Sequence, residues 1–246
     1  MKSDLAVALD VSSAKLIQPI LNTLPAEVQW CKIGLELFVA DGPAAIELVA
    51  STGRSVFLDL KFHDIPRTVA RAVTSASRHG TRLLTVHASG GRDMLRAAAA
   101  AARELAEPRP KLVAVTALTS LDQDDLNDLG VQRPLKAHAL ALAELALACG
   151  IDGLVCSVHE AGEFRDRFGA SPIIVTPGIR LRAEDGASPG QVRPAGAKAE
   201  DQKRVATPAA AVRAGANILV VGRPILDAPD PAAAVCDILN QMRSAR

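Results

Sequence analysis

Residues 55–68 read Ser-Val-Phe-Leu-Asp-Leu-Lys-Phe-His-Asp-Ile-Pro-Arg-Thr. Val56, Leu58 and Leu60 alternate with Phe57, Asp59 and Lys61, the period of a β-strand whose side chains take opposite faces in turn. Asp59 and Lys61 therefore share a face, opposite the large aliphatics. Asp64 follows where the strand gives out. Ile65-Pro66 then sets a proline at the first turn of a helix, where its missing N–H leaves no hydrogen bond unmade. The unit is strand, charged tip, helix. A surface salt bridge is the plainest account of such a tip, but ionised groups are seldom kept at the mouth of an apolar strand unless they are paired or used.

The same unit recurs outward in both directions. Leu5–Leu9 is a strand with large residues on one face and Ala6 and Ala8 on the other, followed by a helix over about 13–23 that Ser12 or Ser13 can cap. Val28–Gly34 carries Lys32 near its end and precedes an amphipathic helix over about 36–52. Further strands are expected at 83–88, 111–118, 153–157, 173–176 and 217–221. Helices are expected near 66–79, 91–105, 122–129, 133–149, 159–168, 208–214 and 231–242. Alternation without a compositional break means a parallel sheet with helical crossovers in one domain. Eight β/α units in 246 residues fit a (β/α)8 TIM barrel. The competing open, doubly wound sheet is disfavoured because the first turn, Asp10-Val11-Ser12-Ser13, has no G-x-G-x-x-G fingerprint.

Composition narrows the function. A hydrophobic fraction of 49% is enough for a core, and 28 basic against 27 acidic residues argue against a dedicated nucleic-acid or membrane surface. An anionic ligand must then be gripped locally. Cys31, Cys149, Cys156 and Cys236 show neither C-x-x-C nor paired-His spacing, which favours buried thiols in a reducing compartment over disulfides or zinc. The short apolar run Leu5–Leu9 is no signal peptide, and the Ala/Leu run at 139–151 is too short to span a bilayer. A cytoplasmic protein is expected.

A parallel barrel directs all strand C-termini to one face, where active sites lie. Asp10, Lys32, Asp59, Lys61, Thr119, Ser120, Ser157, Arg180, Gly222 and Arg223 all fall at or just past strand ends. Singly, each has a dull explanation; together they make a rim. Gly222-Arg223 after the last strand offers a closely approaching backbone and a forked cation, and Arg180 follows the seventh strand, where barrels often bind phosphate. A phosphorylated small molecule is the expected ligand. His63 is expected to pack behind the site and His87 to be structural. Asp122, Asp124, Asp125 and Asp128 lack the calcium-loop pattern and read as a helix start.

The string DLKFHDIPRT at 59–68 resembles the signature of the orotidine 5′-phosphate decarboxylase family, and the likeness runs the length of the chain. It implies that Asp10 and Lys32 contact ribose and that Asp59, Lys61 and Asp64, with Lys32, form the charged catalytic core. It also implies that Asp64, Ile65 and Thr68 reach into the site of a second subunit, hence a homodimer. Thr119-Ser120 resembles the pyrimidine-binding segment. Pro177 and Arg180 in TPGIR, Gln202 in DQKR, and Gly222-Arg223 resemble the closing loop and phosphate grip. The stretch 178–203 is expected to be a lid, longer than the family pattern suggests.

The resemblance implies decarboxylation of orotidine 5′-phosphate to UMP without cofactor or metal, by an alternating array Lys32–Asp59–Lys61–Asp64 of the partner chain. Opposite neighbours keep each member ionised. Two other readings remain. One is a magnesium-dependent sugar-phosphate decarboxylase or aldolase sharing the D-x-K-x-x-D core but not the HDIPRT, TPGIR and DQKR strings. The other is a barrel that binds a nucleotide without turnover, which would have no reason to hold Lys61 between carboxylates.

Overall fold

The computed structural model describes residues 2–181 and 204–245. Eight strands close into a parallel barrel in sequence order, with β8 returning to β1. They are β1 (Asp4–Ala8), β2 (Trp30–Gly34), β3 (Ser55–Phe62), β4 (Thr81–His87), β5 (Lys111–Val115), β6 (Gly153–Val155), β7 (Ile173–Thr176) and β8 (Ile218–Val221). The helices between them are α1 (Ile17–Thr23), α2 (Leu35–Asp41), α3 (Pro43–Ser51), α4 (Pro66–Ser77), α5 (Gly91–Arg103), α6 (Gln123–Asp128), α7 (Leu135–Ala148), α8 (Val158–Phe168), α9 (Pro208–Arg213), α10 (Arg223–Leu226) and α11 (Pro231–Ser244).

The big-and-small alternation of β1 divides the core as its sequence suggests. Leu5, Val7 and Leu9 join Val56 and Leu58 in the layer between barrel and helices. Ala6 and Ala8 face inward with Phe57, Leu83, Val113, Val175, Ile218 and Val220. The small residues of β1 share this inner cluster with the large Phe57 of β3.

Local chemistry sets the helix ends. Ser13 caps a short 3-10 turn ahead of α1, and Asp122 with Asp125 forms a capping box at α6, the helix start expected for that acidic cluster. The single helix expected over 36–52 is two. Gly42, at φ 58°, ends α2, and Pro43 opens α3, a Gly-Pro pair that stops one helix and starts the next. The short α10 directly after β8 is an element that the sequence pattern does not announce.

Of the cysteines, Cys31, Cys149 and Cys156 are buried free thiols, whereas Cys236 is an exposed one, contrary to the expectation that all four lie inside. Among the described residues no helix is long and apolar enough to cross a membrane.

Candidate active site

Strand register brings the charged residues to one level. Ala8 pairs with Lys32, and Gly34 with Asp59, so Asp10, Lys32 and Asp59 emerge side by side at the C-terminal rim of β1, β2 and β3. Glycine at 34 leaves room for the lysine, because a methyl there would stand 3.0 Å from Lys32 Nζ.

β3 does not run as a regular strand to its end. Leu58 pairs with Leu84 and Phe62 with Val86, so four steps of β3 span two of β4. Such a bulge re-aims side chains, and here it falls at Asp59-Leu60-Lys61. Lys61 takes φ 50°, the sole non-glycine at positive φ among the described residues. That left-handed backbone is strained for a side-chain-bearing residue and persists only where its surroundings hold it. Thr85 on β4 holds it: its hydroxyl accepts the Lys61 backbone N–H at 2.8 Å and donates to Asp59 Oδ1 at 3.1 Å.

The result is a row of alternating charge. Lys32 Nζ lies 3.0 Å from Asp10 Oδ1 and 3.6 Å from Asp59 Oδ2. Lys61 Nζ donates to both Asp59 oxygens at 2.9 and 3.0 Å. Burial of Asp59 would by itself raise its pKa. The Lys32 and Lys61 charges, with hydrogen bonds from Lys61 and Thr85, outweigh that and hold the carboxyl below its ordinary value. Asp59 is therefore a carboxylate at neutral pH.

The row opens into a cavity of about 250 Å³ lined by Asp10, Lys32, Asp59, Lys61, Thr119, Pro177, Arg180, Gly222 and Arg223 among others. Gly222 lies against the row: a Cβ added there would approach Asp10 Oδ2 to 3.0 Å and Ala8 Cβ to 3.4 Å. Nine of the fourteen residues that the resemblance assigns to the site thus share one chamber, whereas Ser157, also expected on the rim, is buried off its wall. Ser120, next to Thr119, is exposed and off its wall. Gln202 and most of the expected lid lie outside the described residues.

Asp64, Ile65 and Thr68 do not join the row within one protomer. They lie on the exposed stretch 63–68 at the start of α4, where Asp64 Oδ1 accepts the N–H of Ile65 at 2.6 Å. His63 does not pack behind the site as expected. It is exposed, and its ring stacks on His87 with centroids 5.2 Å apart. His87 also lies 2.7 Å from Ser89 Oγ, and burial, then the His63 ring and the Lys61 charge, hold its pKa below the usual value.

Thr85 is absent from the residues picked out by sequence, although a signal exists: on Leu83-Leu84-Thr85-Val86-His87 it has the inward parity of Leu83. Arg204 belongs to a string assigned to the phosphate grip, yet its side chain runs behind the cavity wall. There it pairs with Glu160 and donates to the carbonyl oxygens of Ala117 and Leu118 at 3.3 and 3.1 Å.

A closed parallel barrel with opposed charges in a cavity at its C-terminal rim defines a barrel enzyme. Comparison with known proteins narrows the class: the chain belongs to the orotidine 5′-phosphate decarboxylase / HUMPS family, whose model matches residues 3–238. It is 48% identical over 230 residues to orotidine 5′-phosphate decarboxylase of Anaeromyxobacter sp. strain K, covering 94% of each chain. The same-named protein of Opitutus terrae is 46% identical over 244 residues, covering 99% of this chain and all of the relative. The fold matches the crystal structure of orotidine 5′-phosphate decarboxylase from Lactobacillus acidophilus with a TM-score of 0.82 and 34% identity, over 98% of this chain and 99% of that one.

Proposed function

We propose that the chain decarboxylates orotidine 5′-phosphate to UMP and CO2, the closing step of UMP synthesis, with no cofactor in the chemical step. The observation that carries this reading is Lys61 held 2.9 Å from Asp59 inside a cavity that Gly222 and Arg223 also line. The C6–carboxylate bond of the pyrimidine breaks, CO2 departs, and the electron pair stays on C6. Lys61 faces that developing charge with its ammonium and delivers a proton to C6, recovering one from solvent afterwards. Preorganised charge aimed at where charge develops accelerates the step, because little reorientation is needed as the bond breaks. Asp59 stands beside the departing carboxylate and orients the Lys61 ammonium through two hydrogen bonds.

Asp10 and Lys32 hold the ribose, and Thr119 faces the base. Pro177, Arg180, Gln202, Gly222 and Arg223 take the phosphate side, with 178–203 as the covering loop. Contacts to these remote groups organise the reacting end. The fourth charge comes from a second copy. Asp64, Ile65 and Thr68 sit on an exposed stretch beside the site, with Ile65 66% exposed and Val39 of α2 80% exposed. A homodimer would cover these apolar groups and deliver Asp64 to the partner's Lys61. The phosphorylated substrate and the four free cysteines suit a cytoplasmic enzyme.

The test is the fall in pyrimidine absorbance when the protein meets orotidine 5′-phosphate in excess chelator, with UMP identified as the product. Tight UMP binding without turnover would favour the nucleotide-binding barrel. Magnesium-dependent turnover of a sugar phosphate would favour the aldolase-type reading.

A further inference from the structure

We propose that the buried Arg204–Glu160 pair is a positioning element that fixes the base-recognising turn at Leu118–Leu121, and so sets affinity for the base but not for the ribose phosphate. The inference rests on the nucleotide reading above. β5 ends at Val115, and the chain beyond it leaves the sheet after one further bond, from Thr116 N to Val155 O. Leu118 O then accepts Leu121 N at 3.0 Å, closing a turn whose two central residues are Thr119 and Ser120. Among the described residues no strand ladder holds this turn.

The Arg204 guanidinium does. Its Nη2 donates to Leu118 O at 3.1 Å and Ala117 O at 3.3 Å, immediately before Thr119. Its Nη1 meets the Glu160 carboxylate and Ser157 Oγ, the latter at 3.3 Å. Glu160, 3% exposed, is itself fixed, since its second oxygen accepts Ser157 N at 2.9 Å at the start of α8. A planar fork thus ties the turn to the end of β6, and Ala117, Leu118 and Thr119 present their other side to the cavity.

The exit of β7 is held by backbone bonds, to Ala206 two residues beyond Arg204. Arg180 N donates to Ala206 O at 2.9 Å and Ala206 N to Gly178 O at 3.0 Å, a backbone bridge that needs no side chain. Removing the guanidinium should therefore loosen the base side and leave the phosphate side standing. A purely stabilising salt bridge predicts otherwise. Replacing both members of a buried pair is often neutral for stability, so the fold survives the double change while the fork is lost.

The experiment is calorimetric titration of the full chain with UMP and with ribose 5-phosphate, which lacks the base, for wild type, Arg204→Lys and Arg204→Met/Glu160→Gln. Lysine cannot span two carbonyls and a carboxylate as the fork does, and the Glu160→Gln change keeps a carbonyl oxygen as acceptor for the Ser157 N–H. Both variants should bind UMP about tenfold more weakly, the value of roughly one hydrogen bond, with ribose 5-phosphate within about twofold of wild type. Equal weakening of both ligands, or unchanged UMP affinity in the folded double variant, overturns the inference. If Arg204→Lys does not fold, the double variant decides. Failure of wild type to prefer UMP over ribose 5-phosphate would instead sink the nucleotide reading itself.

Discussion

Replacing Lys61 by alanine removes one ammonium from a site whose remaining parts stay in place, so its effect can be worked out. Asp59 keeps Lys32 at 3.6 Å and the Thr85 hydroxyl at 3.1 Å, so no buried carboxylate is stranded. The Lys61 side chain is 32% exposed, and loss of so wet an ion pair costs about 1 kcal/mol of stability at most. Alanine at φ 50° inherits the backbone strain, which therefore cancels in the comparison. The fold and UMP binding persist. Catalysis loses two things. A unit charge about 4 Å from the developing carbanion, at an effective dielectric near 20, is worth about 4 kcal/mol, or roughly a thousandfold in rate. A positioned general acid adds about a hundredfold to ten-thousandfold. Together these predict a fall in kcat of about five to seven orders of magnitude, read from the loss of pyrimidine absorbance in chelator. Lys61→Arg separates the two parts, because arginine keeps the charge but does not release a proton near neutral pH. A Lys61→Ala protein that folds, binds UMP and retains kcat within about tenfold of wild type would refute the role given to this ammonium.

Three further outcomes follow from the same geometry. Lys61→Ala and Asp64→Ala proteins are each inactive, but mixing them under exchange should restore about a quarter of wild-type activity, since half the dimers are hybrid and each hybrid holds one intact site; no recovery in demonstrably hybrid dimers rules out the shared site. Asp59 has a folded pKa below its usual value, so its ionisation stabilises the fold fully above the unfolded value of about 3.9, and this contribution is lost as pH falls through the folded value. Asp59→Asn should accordingly flatten the acid limb of a denaturant-stability profile below about pH 4, and a limb as steep as wild type contradicts the assignment. Gly222→Ala places a methyl 3.0 Å from Asp10 Oδ2, displacing that carboxylate and loosening its 3.0 Å contact with Lys32. UMP binding should weaken about tenfold with little change in Tm, and unaltered affinity would mean that Asp10 does not bear on the ligand.

Much of this architecture is legible in the sequence, because period-two alternation and proline placement act locally. Val56 and Leu58 against Phe57 and Asp59 suffice to assign the outer and inner faces of β3, and Pro66 at the first turn of α4 marks where the helix begins. Asp10, Lys32 and Asp59 can be placed on one rim because strand ends in a parallel barrel share a face. The same reasoning puts Lys61 beside Asp59 for an incomplete reason. The pair does meet, but through a bulge and a left-handed residue rather than an unbroken strand. No local pattern announces that bulge, since it depends on Thr85 from the next strand accepting the displaced N–H. Arg204 and Glu160 illustrate the same limit. They stand 44 positions apart, and only the folded barrel shows that they meet behind Leu118 rather than in the cavity. Asp64, on the exposed stretch 63–68, does not join the row within one protomer, and no local pattern marks it as a member.

The strain at Lys61 follows from what the row must do. A regular strand would set Lys61 one full pleat beyond Asp59, with side chains nearly 7 Å apart along the strand at about 3.3 Å per residue. The bulge folds that interval back, and the ammonium meets both carboxylate oxygens within 3.0 Å. Thr85 makes the conformation tenable by binding the backbone of one partner and the carboxylate of the other, so a single hydroxyl fixes the spacing of the pair. Asp59 then stays charged despite its burial because cations lie on two sides. In the proposed reaction, a substrate carboxylate delivered beside it would meet a fixed negative charge that does not readily take a proton. In that reaction the electron pair left as CO2 departs would face Lys61. Binding at the Gly222-Arg223 end would offset that approach, which gives this end its part in the proposed reaction.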